Sequence, residues 1–395
     1  MTGPTTRQRG RRGPLDPVVA RARRAVRAAL TGLPAPSGRD SMPGTGTGTG
    51  TGTGMPGTGS QQVDALVACS GGADSLALAA AAAHLARRGD ARIGAVVVDH
   101  GLHPDSAEVA DRAAAQCTAL GLAPVTVERV RVQPAGEGVE AAARHARYAA
   151  LECAAARAGA RAVLLAHTLD DQAEQVLLGL LRGSGTRSLA GIPVRRGRYH
   201  RPFLHPELGL DRASTERVCA AEGLTWWDDP ANHDPAYTRS RLRATVLPLL
   251  TRELGPGTSA ALARTAAIAA RDADHLDAEA AALLDRIAER RPGCCLLPVE
   301  DLRAAPPALL PRVLARAAVD VGAEPLTRER IAALEALVAP RSPTGPGGAG
   351  PVQLPGGVTA RRLRRDVNPA GGGSADVVLE LRGPGLPRDR AAVAR

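Results

Sequence analysis

From residue 61 onward, short apolar runs alternate with longer alanine-rich stretches, and length decides what each can form. Asp64–Ser70 (DALVACS), Ile93–Asp99 (IGAVVVD), Val125–Val130 and Ala162–His167 (AVLLAH) have the length of strands. Their apolar residues are mostly continuous, as in strands buried on both faces, while Val125–Val130 alternates. Between and after them, about Asp74–Arg88, Asp105–Leu120, Gly138–Ala158 and Asp170–Leu181 read as helices. This strand–helix alternation predicts an α/β fold, a parallel sheet covered by helices on both faces. Ligands of such sheets bind beyond the carboxyl ends of the strands. The residues just after each strand are therefore the ones to inspect.

The flanks differ in texture. Residues 15–33 have the pattern of a helix, and 34–60 are a low-complexity run of Thr-Gly repeats. With almost no large apolar side chains, that run cannot repay the entropy of ordering and reads as a flexible insert. A helical region is expected from Tyr237 to about Arg291, then amphipathic stretches at Pro307–Val321 and Thr327–Val338. A Pro/Gly-rich loop leads to strand-like pieces at Val352–Leu354 and Val377–Leu381. The expected organisation is a basic, largely disordered segment (1–60), an α/β domain (61–236), a helical linker (237–292) and a small α+β domain (293–395).

Composition narrows the picture. Aromatics are only 2% of the chain, so Ala, Leu and Val must build the core. No apolar run approaches the roughly 18 residues of a membrane span, and the N-terminal arginines precede no apolar segment. A cytoplasmic protein without a secretory signal or membrane partner is expected. Six scattered cysteines lack C-x-x-C spacing, which argues against a disulfide framework or a zinc site, and Cys69 reads as a buried thiol. The net charge of +10 invites a nucleic-acid reading, but the first 30 residues carry +7 of it. The chain contains no lysine, which excludes a Walker-type phosphate loop and Schiff-base catalysis.

The strongest local signal is Ser70-Gly71-Gly72-Ala73-Asp74-Ser75, between the first strand and its helix. Two glycines allow a tight turn and close approach to an anion, and the amides of the helix start then face phosphate oxygens. Ser70 and Ser75 would add hydroxyl donors. Asp74 would repel phosphate by itself but suits a bridging Mg²⁺. A plain glycine turn with Asp74 as a helix cap is the simpler alternative. After the fourth strand, His167, Asp171 and Glu174 are spaced by four and three. Asp171 and Glu174 then share one face near the positive end of a helix. They read either as solvated acids or, opposite a phosphate loop, as a site for Mg²⁺ or an incoming amine. Trp226 and Trp227 could stack on a base, and at least one of them is expected in the core.

The hexapeptide resembles the PP-loop of the N-type ATP pyrophosphatases, which implies an adenine nucleotide alpha hydrolase-like fold and cleavage of ATP to AMP and pyrophosphate. Val98-Asp99-His100-Gly101-Leu102 closes the second strand, and Glu140-Ala141-Ala142-Ala143-Arg144 leads into Arg147-Tyr148. Further on come His167 to Glu174, Leu181-Arg182-Gly183-Ser184-Gly185, Arg201-Pro202, Trp227-Asp228-Asp229-Pro230 with Asn232, and Tyr237 to Arg243. This order and spacing, over about Leu66–Leu250, is similar to the tRNA(Ile)-lysidine synthetases. Leu354-Pro355-Gly356-Gly357 and the helices before it resemble, more loosely, that family's C-terminal tRNA-binding domain. Two departures stand out: Gln175 where the family usually has Thr, and Phe203 within the family's Arg-Pro-Leu-Leu phrase.

The resemblance implies a carbon–nitrogen ligase that uses ATP and Mg²⁺, tRNA(Ile) with a CAU anticodon and L-lysine, with a homodimer as one admissible assembly. It places ATP on residues 70–75, Asp99 and His100. It gives catalytic roles to Asp74, His167, Asp171 and Glu174, metal to Asp74 and Asp171, and substrate contacts to Arg144, Arg182 and Arg201. The competing readings are a tRNA thiolation enzyme, which would need the missing cysteine pairs, and a nucleotide-binding protein without turnover.

Overall fold

A computed structural model describes residues 15–33, 62–101, 103–132, 138–183, 185–230, 234, 236, 238–340, 350–365 and 376–384. The Thr-Gly repeats, the four arginines before residue 15, and Leu102, Ser184, Asn232 and Tyr237 of the motifs above lie outside these residues. Contacts divide the chain into two units, with the division between Ala267 and Ile268.

The first unit begins with α1 (Pro17–Leu30), followed by β1 (Ala65–Cys69), α2 (Ala73–Arg87), β2 (Ile93–Asp99), α3 (Ser106–Leu120) and β3 (Val125–Arg129). Then come α4 (Val139–Arg157), β4 (Ala162–Leu164), α5 (Leu169–Leu181), α6 (Thr186–Leu189), the hairpin β5 (Arg195–Arg196) and β6 (Tyr199–His200), and α7 (Arg212–Glu222). The sheet order is β3-β2-β1-β4-β6-β5. All pairings are parallel except that of β5 with β6. Alternate residues of β1 explain the two covered faces. Ala65, Val67 and Cys69 pack into one core with α2, while Leu66 and Ala68 pack into another with Leu151 and Ala154 of α4.

Helix α2 is buried along nearly its whole length because its side chains are mostly alanine. That small girth lets α1 and α7 seat beside it in the same core. Three of the four arginines in α1 are tied down there: Arg21 donates to Ser214 Oγ, Arg23 pairs with Glu222 and Arg27 with Asp90. In this helix the positive charge serves packing. A base- or phosphate-binding arm is not needed to account for it.

Past α7 the chain forms α8 (Thr238–Arg241), a π-helical turn over Leu242–Val246, α9 (Leu247–Leu254) and α10 (Thr258–Ile287). The expected helical region runs unbroken through the π turn and is interrupted at Gly255, whose φ is +100°. It also stops earlier than expected: Glu289–Arg291 form β7, not the end of a helix. The second unit continues with β8 (Cys294–Pro298), α11 (Val299–Ala304), α12 (Leu310–Asp320), α13 (Arg328–Val338), β9 (Val352–Gln353), β10 (Thr359–Arg365) and β11 (Asp376–Arg382). Its antiparallel sheet has the order β7-β8-β11-β10-β9 and packs Leu297, Leu379 and Leu381 against Leu302, Leu314 and Leu334 of the helices.

Candidate active site

The strand order changes direction between β1 and β4, the crevice where α/β sheets bind ligands. The glycine-rich hexapeptide lies at its head. Gly71 has φ +83°, a conformation open to glycine and strained for other residues. Gly72 precedes α2 in extended conformation with no side-chain cap on the helix, so the first amides of α2 remain available to an anion. Ser75 is buried and bound within the loop, donating to Gly72 O at 2.9 Å and accepting from Ser70 N at 3.1 Å. Its hydroxyl therefore shapes the turn, and Ser70 is the exposed member of the pair. A cavity of about 380 Å³ adjoins the loop, lined by Ser70, Gly72, Asp99, His100, Arg147 and Trp227 among others. Asp99 is buried at the end of β2 and accepts from Gly101 N at 2.9 Å, which fixes the turn carrying His100.

On one side of the loop the structure gathers the three predicted carboxylates. Thr168 caps α5, with Asp171 returning a bond to Thr168 N at 2.8 Å, a capping box that locks Asp171 in place. One turn on, Glu174 is 2% exposed. Arg243, from the π turn, donates to Glu174 Oε1 at 2.9 Å and lies 3.2 Å from Asp171 Oδ1. Arg212, at the start of α7, lies 3.5 Å from Asp171 and 3.7 Å from Asp74, whose Oδ1 also meets the Thr215 hydroxyl. Burial pushes the Asp74 carboxyl up to about 6; Arg212 and Thr215 oppose this, and the charge of Asp171 adds to it. Burial likewise raises Glu174 against the pull of Arg243. Three carboxylates thus face two guanidiniums, an arrangement that welcomes one more positive charge.

The other side is cationic. Burial lowers His167 to about 4, opposed by Asp171 and reinforced by Arg201, Arg147 and Arg144, so its imidazole is neutral at pH 7. His100 is lowered by burial and then by Arg147. Both histidines have a buried Nδ1 with no hydrogen-bond partner among the described residues. Arg201 is 5% exposed and anchored on Pro193 O at 3.0 Å, whereas Arg144 is exposed and lies over the Tyr148 ring at 5.3 Å. Arg182 is not brought to this group. It caps the far end of α5, about 17 Å along the helix from Asp171 at the usual rise per residue.

Sequence reasoning did not single out Arg212, Thr215 or Gln116. Asp211 before Arg212 is a readable helix cap and accepts from Ser214 N, but nothing in the sequence spacing connects α7 with the phosphate loop. Neither tryptophan is in a core: Trp226 is 37% exposed and Trp227 half-buried. Both sit on the irregular segment after α7, and Trp227 lines the cavity beside the phosphate loop. Gln175, at the position of the family's usual Thr, accepts from Arg239 Nη2 at 2.7 Å.

For Mg²⁺ the fit is that of an ion arriving with a nucleotide. Among the described residues no three His, Cys, Asp or Glu side chains form a ready cage. Mg²⁺ commonly uses one or two carboxylates together with substrate phosphates and water. Asp74 and Asp171, close enough for one to raise the other's carboxyl, would be that pair.

A parallel sheet whose first strand ends in this loop, with carboxylates and arginines meeting at the switch in strand order, defines a PP-loop nucleotide-binding protein. Residues 55–250 match the PP-loop domain family, and residues 297–367 match the TilS substrate binding domain. The tRNA(Ile)-lysidine synthase of Leifsonia xyli is 52% identical over 74% of this chain and 85% of its own. That of Streptomyces coelicolor is 50% identical over 75% and 82%, and that of Salinispora arenicola 46% identical over 88% and 95%. The chain belongs to the tRNA(Ile)-lysidine synthase family.

Proposed function

We propose that this chain is an ATP-consuming ligase that converts the wobble cytidine of a CAU-bearing tRNA(Ile) to lysidine. The observation that carries the reading is the pairing of an anion-binding loop with a carboxylate cluster short of one positive charge, in a chain whose relatives bear that name over most of their length. In the first step the C2 oxygen of cytidine attacks the α-phosphorus of ATP, and pyrophosphate leaves. The amides at the start of α2 receive the departing phosphates, an oxyanion-type stabilisation by preset dipoles. Asp74 and Asp171 would hold Mg²⁺, which offsets phosphate charge.

In the second step the ε-amine of L-lysine attacks C2, the carbon–nitrogen bond forms and AMP departs. The ring oxygen is a poor leaving group, and adenylation makes it a good one. The amine must be neutral to attack. Glu174 and Asp171 receive the lysine ammonium, and Glu174, with its carboxyl already raised by burial, takes up a proton more readily than an exposed glutamate. His167, neutral at pH 7, orients the substrate as a hydrogen-bonding group, without a charge of its own. Arg144 and Arg201, with Arg147, offer positive charge to the RNA side of the crevice. For Arg182, its place on α5 points to a more distant RNA contact.

The second unit holds the rest of the tRNA in this reading. Its strand β10 carries Arg361, Arg362, Arg364 and Arg365, of which Arg361 is tied to the buried Glu380. No helix among the described residues is long and apolar enough to cross a membrane, and the substrates place the reaction in the cytoplasm. The test is mass spectrometry of tRNA after incubation with ATP and lysine, with pyrophosphate measured alongside. Release of pyrophosphate that needs tRNA, and of AMP that needs both tRNA and lysine, supports the reading, and ADP as the product overturns it.

A further inference from the structure

Beside the phosphate loop, the cavity is lined by Trp227 and Asp229, which belong to Thr225–Asp229, a strap outside any helix or strand. Two features seat it. Trp227 N donates to Gly71 O at 3.0 Å. The side-chain amide of Gln116, on α3, makes a reciprocal pair with the backbone of Thr225: Nε2 donates to Thr225 O at 2.9 Å, and Thr225 N donates to Oε1 at 3.2 Å. Gln116 thus imitates the edge of a neighbouring strand. A carboxylate in its place would accept one bond and repel the carbonyl, and a shorter side chain would reach neither group.

The bond to Gly71 has a consequence for the loop. A trans peptide is planar, so the carbonyl of Gly71 and the N–H of Gly72 point in opposite directions. Holding that carbonyl on the strap fixes the Gly72 N–H on the side away from the strap. Gly71 is a left-handed glycine, and that peptide can rotate more freely than others unless it is held. The same strap places Trp227 on the cavity wall near His103, with ring centroids 6.1 Å apart.

We infer that Gln116 is a positioning residue for nucleotide binding, acting through the strap on the Gly71–Gly72 peptide and on Trp227. The inference rests on the proposed use of ATP at this loop. Its test exploits the fact that both tryptophans of the chain, Trp226 and Trp227, lie on the strap, so intrinsic fluorescence reports on that segment alone. The full chain, Gln116→Ala and the volume-matched Gln116→Glu are compared in three ways: affinity for α,β-methylene-ATP, steady-state lysidine formation, and acrylamide quenching with and without the analogue.

In both variants the Kd of the analogue and the KM for ATP rise about tenfold, the worth of one or two net hydrogen bonds. Both kcat at saturating ATP and KM for lysine stay within twofold of the parent. Quenching increases, and the analogue protects the tryptophans less than in the parent. Wild-type Kd in both variants overturns the inference, as does a fall in kcat alone with unchanged quenching. If the parent binds the analogue but makes no lysidine, the proposed function fails, and Gln116 is still decided by the Kd comparison. If the parent does not bind the analogue, both fail.

Discussion

Asp74 shows how one side chain links stability and chemistry. Its carboxyl is raised to about 6 from an ordinary 3.8, so the folded state holds that proton more tightly than the unfolded chain does. The group therefore contributes stability that is full below pH 3.8 and lost as pH rises through about 6. Activity runs the other way, because a metal or ammonium is met by the ionised form. Pyrophosphate release that depends on tRNA should rise through an acid limb near pH 6. Arg212→Gln removes the strongest influence lowering this carboxyl, and the limb of its residual activity should move upward. A limb that stays in place would assign the titration to another group. Asp171→Asn should abolish most transfer of radiolabelled lysine, since Asp171 lies between the guanidiniums of Arg212 and Arg243; full activity in that assay would remove it from the mechanism.

At the scale of elements, Arg243 ties the π turn to α5. Replacing it with Met leaves Glu174 buried without its ion partner, a change that typically costs about 3 kcal/mol. Urea unfolding of Arg243→Met at pH 7 should show such a loss, smaller at pH 5, where the raised Glu174 carboxyl takes up a proton more fully. An equal loss at both values would mean the ion pair is not its source. Strands β1 and β2 could be read from sequence because continuous apolar runs have few other uses at that length, and β3 because its residues alternate. Helices α2 to α5 followed from the alanine-rich stretches between and after the strands, to within a residue at their ends. The elements that could not be read carry the wrong residue types for a pattern. Strand β10 is mostly arginine on the way to a half-buried edge, β8 begins with two cysteines, and α7 has only Thr215, Val218 and Cys219 buried. The site was legible where one element supplied it, as in the phosphate loop and His167 to Glu174. It was illegible where partners lie 41 or more positions further on, as with Arg212, Arg243 and Thr215. Those contacts depend on tertiary packing alone.

For the whole molecule, charge separates into roles. Three of the four arginines of α1, and Arg212 and Arg243 of the carboxylate cluster, are paired within the fold, so the RNA is left to other cations such as Arg144, with arginine as the sole long basic side chain. Affinity for tRNA should fall steeply with salt through release of counterions. Affinity for lysine, set in a largely buried cluster where screening is weak, should change little between 50 and 200 mM salt, roughly the range over which such release is felt. Parallel titrations by filter binding and calorimetry would check this, and equal slopes for the two ligands would refute it.

Unequal strand lengths have an effect of their own. The ladder between β1 and β4 stops at Val67 and Leu164, while β1 runs on to Cys69. Two residues of overhang, about 7 Å at the usual rise, leave a notch on the side where the sheet divides. A flat heterocycle laid in such a notch would meet peptide edges in preference to side chains. Its identity would then be read by atoms that every amino acid shares, so exchanging Ala68 or Cys69 for another residue of similar size should leave the choice of purine untouched.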